Sequence, residues 1–191
     1  MPLSTEFSGT AADDISLAFS LAPIGLLVSR QRIIQTYNAA FAQMFGYNKD
    51  ALSGESFARI YPSNVEFEQI GNRVLGSMRE TGFSNDQRIM RHHSGRLFWC
   101  RVEGRCLNQN DPFAAAVWSF SDLSAARPVT AEFTPREREI AQFLVTGKTS
   151  KEIARQLGIS HRTIEAHRAR LMKKLNASTP GEMIARLAGG G

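Results

Sequence analysis

The sequence predicts two units of different class: an α+β domain built on one five-stranded antiparallel sheet with helices, followed by a small all-α domain of four helices. Three observations carry that expectation. Five strand-like runs fall in the first 125 residues, with helical patterning between the second and the third of them. The last 60 residues hold helix starts in which a hydroxyl residue precedes Glu by three positions, three times over. Charge divides at the same place. Up to Pro128, twelve Lys and Arg balance twelve Asp and Glu, so the whole formal charge of +5 falls in the last third.

Taken in order, residues 1–11 are expected to be a flexible N-terminus. Asp13-Asp14 then opens a helix over 14–22 that carries Ile15, Leu17, Ala18, Phe19 and Leu21 and is stopped by Pro23 and Gly25. Strands over 25–29 and 33–37 flank the polar Arg30-Gln31-Arg32 as a hairpin. Asn38 caps a helix carrying Ala39, Ala40, Phe41, Met44 and Phe45, with Gly46 beyond it. Irregular turns fill 49–60. From Asn64, the residues Val65, Phe67, Ile70, Val74, Leu75 and Met78 recur at helical spacing until Thr81-Gly82. Strands over 83–90, 97–107 and 113–121 follow, joined by His92-His93-Ser94-Gly95 and by the polar residues 108–112. Two strands, several helices and three strands are most economically one antiparallel sheet with helices crossing one face.

The run Ala22-Pro23-Ile24-Gly25-Leu26, then Tyr37-Asn38-Ala39-Ala40-Phe41 with Phe45-Gly46-Tyr47, then Ile60-Tyr61-Pro62-Ser63, Ser94-Gly95 before Phe98-Trp99, and Phe120-Ser121-Asp122-Leu123-Ser124 resembles a PAS domain over residues 12–124. The resemblance implies a sheet that can form dimers and, in many members, a pocket between sheet and helices. The cofactor stays unknown, with haem and flavin disfavoured. His-liganded haem sensors of this kind take their ligand from the long helix, and 64–81 has no His. Flavin photosensing needs a reactive Cys between 49 and 60, where there is none. His92 and His93 read as a solvated strand connection. Cys100 and Cys106 share one face of their strand by parity, as core thiols or alternatively a redox sensor. On one strand they lie roughly 20 Å apart, too far for a disulfide.

In the last third, Thr134-Pro135-Arg136-Glu137, Thr149-Ser150-Lys151-Glu152 and Thr179-Pro180-Gly181-Glu182 read as capping boxes, two with Pro at the first helical position. The first helix spans 135–146 with Ile140, Phe143 and Leu144 as its stripe, and the second spans 150–157 on Ile153, Ala154 and Leu157. Gly158-Ile159-Ser160 turns the chain into a third helix that reaches Leu175 and faces inward with Ile164, Leu171 and Leu175. This is a helix-turn-helix, whose second helix enters the major groove by its N-terminal part.

The residues opposite that apolar stripe are the candidate DNA readers: Ser160, His161, Arg162, Thr163, Glu165, Ala166 and Ala169. Arg162 can bond guanine O6 and N7, Glu165 can accept from a cytosine amino group, and Ala166 can pack on a thymine methyl. Arg170, Lys173 and Lys174 suit phosphates, as do Lys148, Ser150 and Lys151 at the start of the second helix. His167 reads as a partly packed residue.

Residues 133–188 resemble the LuxR/NarL/FixJ family through Thr134-Pro135-Arg136-Glu137-Arg138-Glu139, Lys151-Glu152-Ile153-Ala154, Leu157-Gly158-Ile159-Ser160 and Arg162-Thr163-Ile164-Glu165-Ala166-His167-Arg168. That resemblance implies a fourth helix, 180–187, that often forms a dimer contact. The expected partners are double-stranded DNA, a second copy of the chain, RNA polymerase as a candidate contact, and a small molecule or protein signal at the PAS domain. The linker 125–132 is expected to transmit the signal, and 189–191 to form a disordered tail. No nucleophile-base pair, phosphate loop or metal-ligand spacing marks an enzyme. No stretch reaches the roughly 18 apolar residues that span a bilayer, and a cytoplasmic location is expected. A sigma-factor-like promoter reader and a PAS adaptor without specific DNA binding are the alternatives.

Overall fold

A computed structural model describes residues 10–125 and 133–188. The start of the chain, most of the expected linker and the expected tail lie outside the described residues.

Helix α1 (Ala11–Leu21) begins three residues earlier than its acidic pair suggests, because Thr10 caps it. The Thr10 hydroxyl accepts from the Asp13 N–H at 3.3 Å, and the Asp13 carboxylate accepts from the Thr10 N–H at 2.8 Å. Thr10 and Ala11 therefore belong to this helix and not to a flexible N-terminus. Strands β1 (Gly25–Arg30) and β2 (Ile33–Tyr37) are joined through Gln31 and Arg32, both at positive φ, 48° and 61°. Positive φ at both central residues is what a tight I′ hairpin demands. Asn38 then does more than cap α2 (Ala39–Phe45). Buried to 4%, its carboxamide accepts from the Leu26 and Phe41 N–H groups, each at 2.9 Å, and donates to carbonyls of Phe19, Ala22 and Ile24. One side chain thus ties α1, β1 and α2 together.

A 3-10 turn (Phe57–Ile60) leads to α3 (Asn64–Thr81), capped by Ser63 and ended by Gly82 at φ 72°. Strands β3 (Phe83–Arg91), β4 (Leu97–Cys106) and β5 (Ala116–Asp122) complete one antiparallel sheet in the order β2-β1-β5-β4-β3. β5 starts three residues later than its composition suggests. The segment before it forms a turn instead, in which the Phe113 carbonyl accepts from Gln31 N–H and the Ala115 carbonyl from Leu107 N–H. The inner sheet face is an aromatic core in which Phe41, Phe45, Phe57, Phe98, Trp118 and Phe120 meet mostly edge to face. Helix α3 closes it with Phe67, Ile70, Val74 and Met78. Cys100 and Cys106 lie on this inner face, as parity requires, and both thiols are free.

Helices α4 (Pro135–Val145), α5 (Ser150–Leu157), α6 (His161–Lys174) and α7 (Pro180–Ala188) form the second domain. The boxes at Thr134 and Thr149 close reciprocally. At α7 the pattern differs. Thr179 accepts from the Glu182 N–H, but the Glu182 carboxylate accepts from the Ser178 N–H at 2.7 Å, one residue before the expected donor.

The sequence gives no sign that α4 is buried on two sides. Ile140, Ala141 and Leu144 pack into the helical core, while Arg138, Glu139, Gln142 and Phe143 meet the α+β domain. Arg138 grips Glu66 of α3 through two bonds of 2.9 and 2.5 Å and also donates to the Phe133 carbonyl. Arg73 of α3 reaches Glu139 at 3.0 Å and lies 5.1 Å from the Phe143 ring centre. Ile89 and Trp99, paired across β3 and β4 on the outer sheet face, complete the apolar core of the helical domain.

Candidate nucleic-acid interface

Helices α5 and α6 are set by their joint. Gly158, at φ 62°, ends α5 by donating to the Ala154 and Arg155 carbonyls, and Ser160 opens α6 by accepting from the Thr163 N–H at 3.1 Å. Ile164 and Leu171 are fully buried and Leu175 nearly so, which fixes the rotation of α6 about its axis. The opposite stripe, His161, Arg162, Glu165, Ala166, Ala169, Arg170 and Lys173, is exposed, the repeat expected of one helix face.

The thirteen candidate residues fall into four settings. Arg162, Ala166, Ala169, Arg170 and Lys173 lie open on the stripe, and Lys151 is open on the first turn of α5. His161 and Glu165 share the stripe but face each other at 3.7 Å, with Arg168 also 3.7 Å from Glu165. Ser160 and Thr163 hold hydroxyls 2.8 Å apart at the helix cap. Two residues bond within the domain and a third is half-buried. Ser150 is 5% exposed and accepts from Arg168 at 2.6 Å, a bond that joins α5 to α6. Lys174 donates to Glu137 of α4 at 2.7 Å, and Lys148 is half-buried.

Glu137 is held below the ordinary carboxylate range, because its bonds to Lys174 and Thr134 outweigh the burial that raises it. His167 is half-buried on the flank of α6, with Nδ1 buried and unpartnered. Burial first, and then Arg170 and Arg136, hold its pKa below the ordinary histidine value.

In the first domain, His93 packs at a tilt against Tyr47, ring centres 4.7 Å apart, and His92 takes up the β3–β4 turn by accepting from the Ser94 N–H. Among the described residues no group of three His, Cys, Asp or Glu stands together to hold a metal, and no helix is long and apolar enough to cross a membrane.

Residues 22–125, more than half of the chain, match the family described as PAS domain. The chain belongs to the PAS family. Residues 131–186 match the family described as bacterial regulatory proteins, luxR family, so a PAS sensor domain is fused to a LuxR-type helix-turn-helix. The PAS domain of a LuxR-family transcriptional regulator from Burkholderia thailandensis, solved with ethanol, is 48% identical, covers 57% of this chain and 96% of that one, and superposes with a TM-score of 0.56. VqmA of Vibrio cholerae shares the fold of the whole at 20% identity, covering 96% of this chain and 90% of that one, with a TM-score of 0.55. FixJ of Bradyrhizobium diazoefficiens is 38% identical over 78 residues, which are 41% of this chain and 37% of FixJ. The chain spans only 22–37% of the length of such curated relatives. The Glu66–Arg138 and Arg73–Glu139 contacts were not visible in the sequence.

Proposed function

We propose that this chain is a sequence-specific, dimeric DNA-binding transcription regulator acting in the cytoplasm, in which residues 12–124 sense and residues 133–188 bind DNA. The observation that carries the reading is the exposed stripe of α6, bearing Arg162 and Ala166 opposite the buried Ile164 and Leu171. A helix anchored on one face, open on the other and basic toward its C-terminal end suits the major groove. Arg162 reads a base edge, Lys151, Arg170 and Lys173 grip phosphates, and Ala166 and Ala169 allow close approach. The signal is a small molecule, as the ethanol complex of the Burkholderia relative suggests. It reaches the helix-turn-helix through the contact between α3 and α4.

Selection from random DNA tests the reading. A two-fold motif with half-sites about one helical turn apart is expected. Arg162→Ala should cost about 1–3 kcal/mol on that motif and relax it at one position, whereas Lys151→Ala should weaken all sequences alike and lower the salt slope by about one. No enriched motif refutes a specific regulator and leaves a protein-binding adaptor.

A further inference from the structure

Three elements remote from one another in sequence bring cationic and imidazole side chains together in the first domain. Tyr47 follows α2, Arg59 belongs to the 3-10 turn, and Arg91, His92 and His93 come from the end of β3 and the turn after it. With Gly95 they line an open cavity of about 220 Å³. It shares no lining residue with the cleft between the sheet and α3.

The walls are held by the backbone. The His93 N–H donates to the Phe45 carbonyl at 2.8 Å, which pins the β3–β4 turn to the end of α2. The His92 ring takes the place of a side chain on Gly46, where a Cβ would lie 2.1 Å from Nε2, and its Nδ1 accepts from the Ser94 N–H at 3.0 Å. Arg91 is fixed to the third element by donating from Nη2 to the Arg59 carbonyl at 3.2 Å.

Charge decides what such a cavity holds. The buried arginines Arg88 and Arg138 are each met by a carboxylate, at 2.6 and 2.5 Å. No carboxylate lines this cavity. Among the described residues Glu55 alone pairs with its arginines, 3.7 Å from Arg59 with both side chains about half exposed, where solvent screens the attraction. The cluster feels its own charge: burial first, then Arg96 and His93, hold the His92 pKa below the ordinary histidine value. A concave surface of one sign gathers counter-ions, and guanidinium forks match phosphate oxygens. A phosphate monoester offers three oxygens and nearly two charges. A carboxylate or a phosphodiester brings one charge and two free oxygens, a poorer match. We propose that the cavity between the end of α2, the 3-10 turn and the β3–β4 turn binds the terminal phosphate of a small phosphorylated molecule, with Arg59 and Arg91 as its anchors and the imidazoles of His92 and His93 beside it.

The chain has four histidines, which lets NMR locate the binding. His92 and His93 stand at the cavity, whereas His161 and His167 report on α6, the other basic surface. The full chain is titrated at constant ionic strength with glycerol 3-phosphate, with acetate and with a short DNA duplex, following the imidazole signals. Glycerol 3-phosphate should shift His92 and His93 saturably. Arg91→Gln should weaken this about tenfold; if that variant does not fold, Arg59→Gln, at an exposed position, must weaken it instead. An equal response to acetate overturns the ligand class, and unchanged binding by the arginine variants overturns the anchors. A duplex that shifts His92 and His93 at lower concentration than glycerol 3-phosphate identifies a nucleic-acid track and overturns the small molecule. A response confined to His161 and His167, or one that rises without saturating, overturns the proposal entire. The site is separate from the stripe of α6, so its failure leaves the DNA-binding reading standing.

Discussion

Arg138→Met should separate the two domains before it unfolds either of them. Glu66 and Arg138 are 2% and 7% exposed and share two short bonds. Truncating one partner of such a pair strands the other charge, at a cost of about 3–5 kcal/mol. The Ser63 hydroxyl, 2.9 Å from Glu66, offsets part of that. Glu66 regains water as soon as α4 lifts away, so the penalty is capped by the free energy that holds α4 down. What remains of the hold is modest. Arg73 is 32% exposed in its pair with Glu139, which limits that pair to about 1 kcal/mol. Ile89 and Trp99 contribute about 1.5–3 kcal/mol each while the seam is closed. The remaining hold is then roughly 4–7 kcal/mol against a penalty of about 3–5, so the variant brings the closed form close to balance with the open one. Small-angle scattering should show a larger radius of gyration with the circular dichroism unchanged, and Trp99 emission should move to the red. Glu66→Leu with Arg138→Met, which replaces the pair by apolar groups, should restore the closed form. A closed Arg138→Met, or one that melts as a single unit at a lower temperature, refutes the reasoning.

Three further predictions follow from single residues. The pKa of His167 is lowered in the fold, mainly by burial; between that lowered value and about 6.5 the unfolded chain binds more protons, so stability falls as pH is lowered through this window. Melting of His167→Gln should be flatter over that range. A Cβ on Gly104 would lie 2.5 Å from the Trp118 ring and 2.6 Å from Met78, so Gly104→Ala should cost about 1–3 kcal/mol by overpacking, read by chemical denaturation. Burial pushes the Cys100 thiol up to about 12, so at pH 8 it should resist thiol reagents until the domain unfolds, and labelling of Cys106→Ala measures this directly.

The elements were legible where local chemistry fixes them. Asn38, Thr134, Thr149 and Ser160 each cap the helix that their side chains suit, and the inward stripe of α6 followed from its spacing. The errors fell where a distant partner decides. The first strand residues expected near Phe113 are taken into a turn by Gln31, about eighty positions away. The bond from Arg168 to Ser150 likewise joins residues eighteen positions apart and could not be read from spacing. Glu66, Arg73, Arg138 and Glu139 carry charge at helical spacing, and a single sequence cannot distinguish a solvated face from one that meets the opposite charge of another domain.

The place of that meeting constrains how the sensor can act. The PAS domain is docked on α4, and the outward stripe of α6 is exposed while it is docked. In this docked form the PAS domain does not cover the proposed DNA-reading face of α6. In the proposed dimeric regulator, what docking fixes is direction, because two helix-turn-helix units each clamped to a PAS domain can meet only those half-sites that the geometry of the dimer allows. Two units must reach sites about 34 Å apart on one face of the duplex, so a small rotation at the α3–α4 seam is enlarged over the length of the domain. It follows that opening the clamp should change affinity for a paired site far more than affinity for one half-site. Wild type and Arg138→Met, compared on half-site DNA and on paired sites of graded spacing, should agree on the first and differ on the second. An equal change on both would mean that the sensor acts on the reading surface of α6 itself.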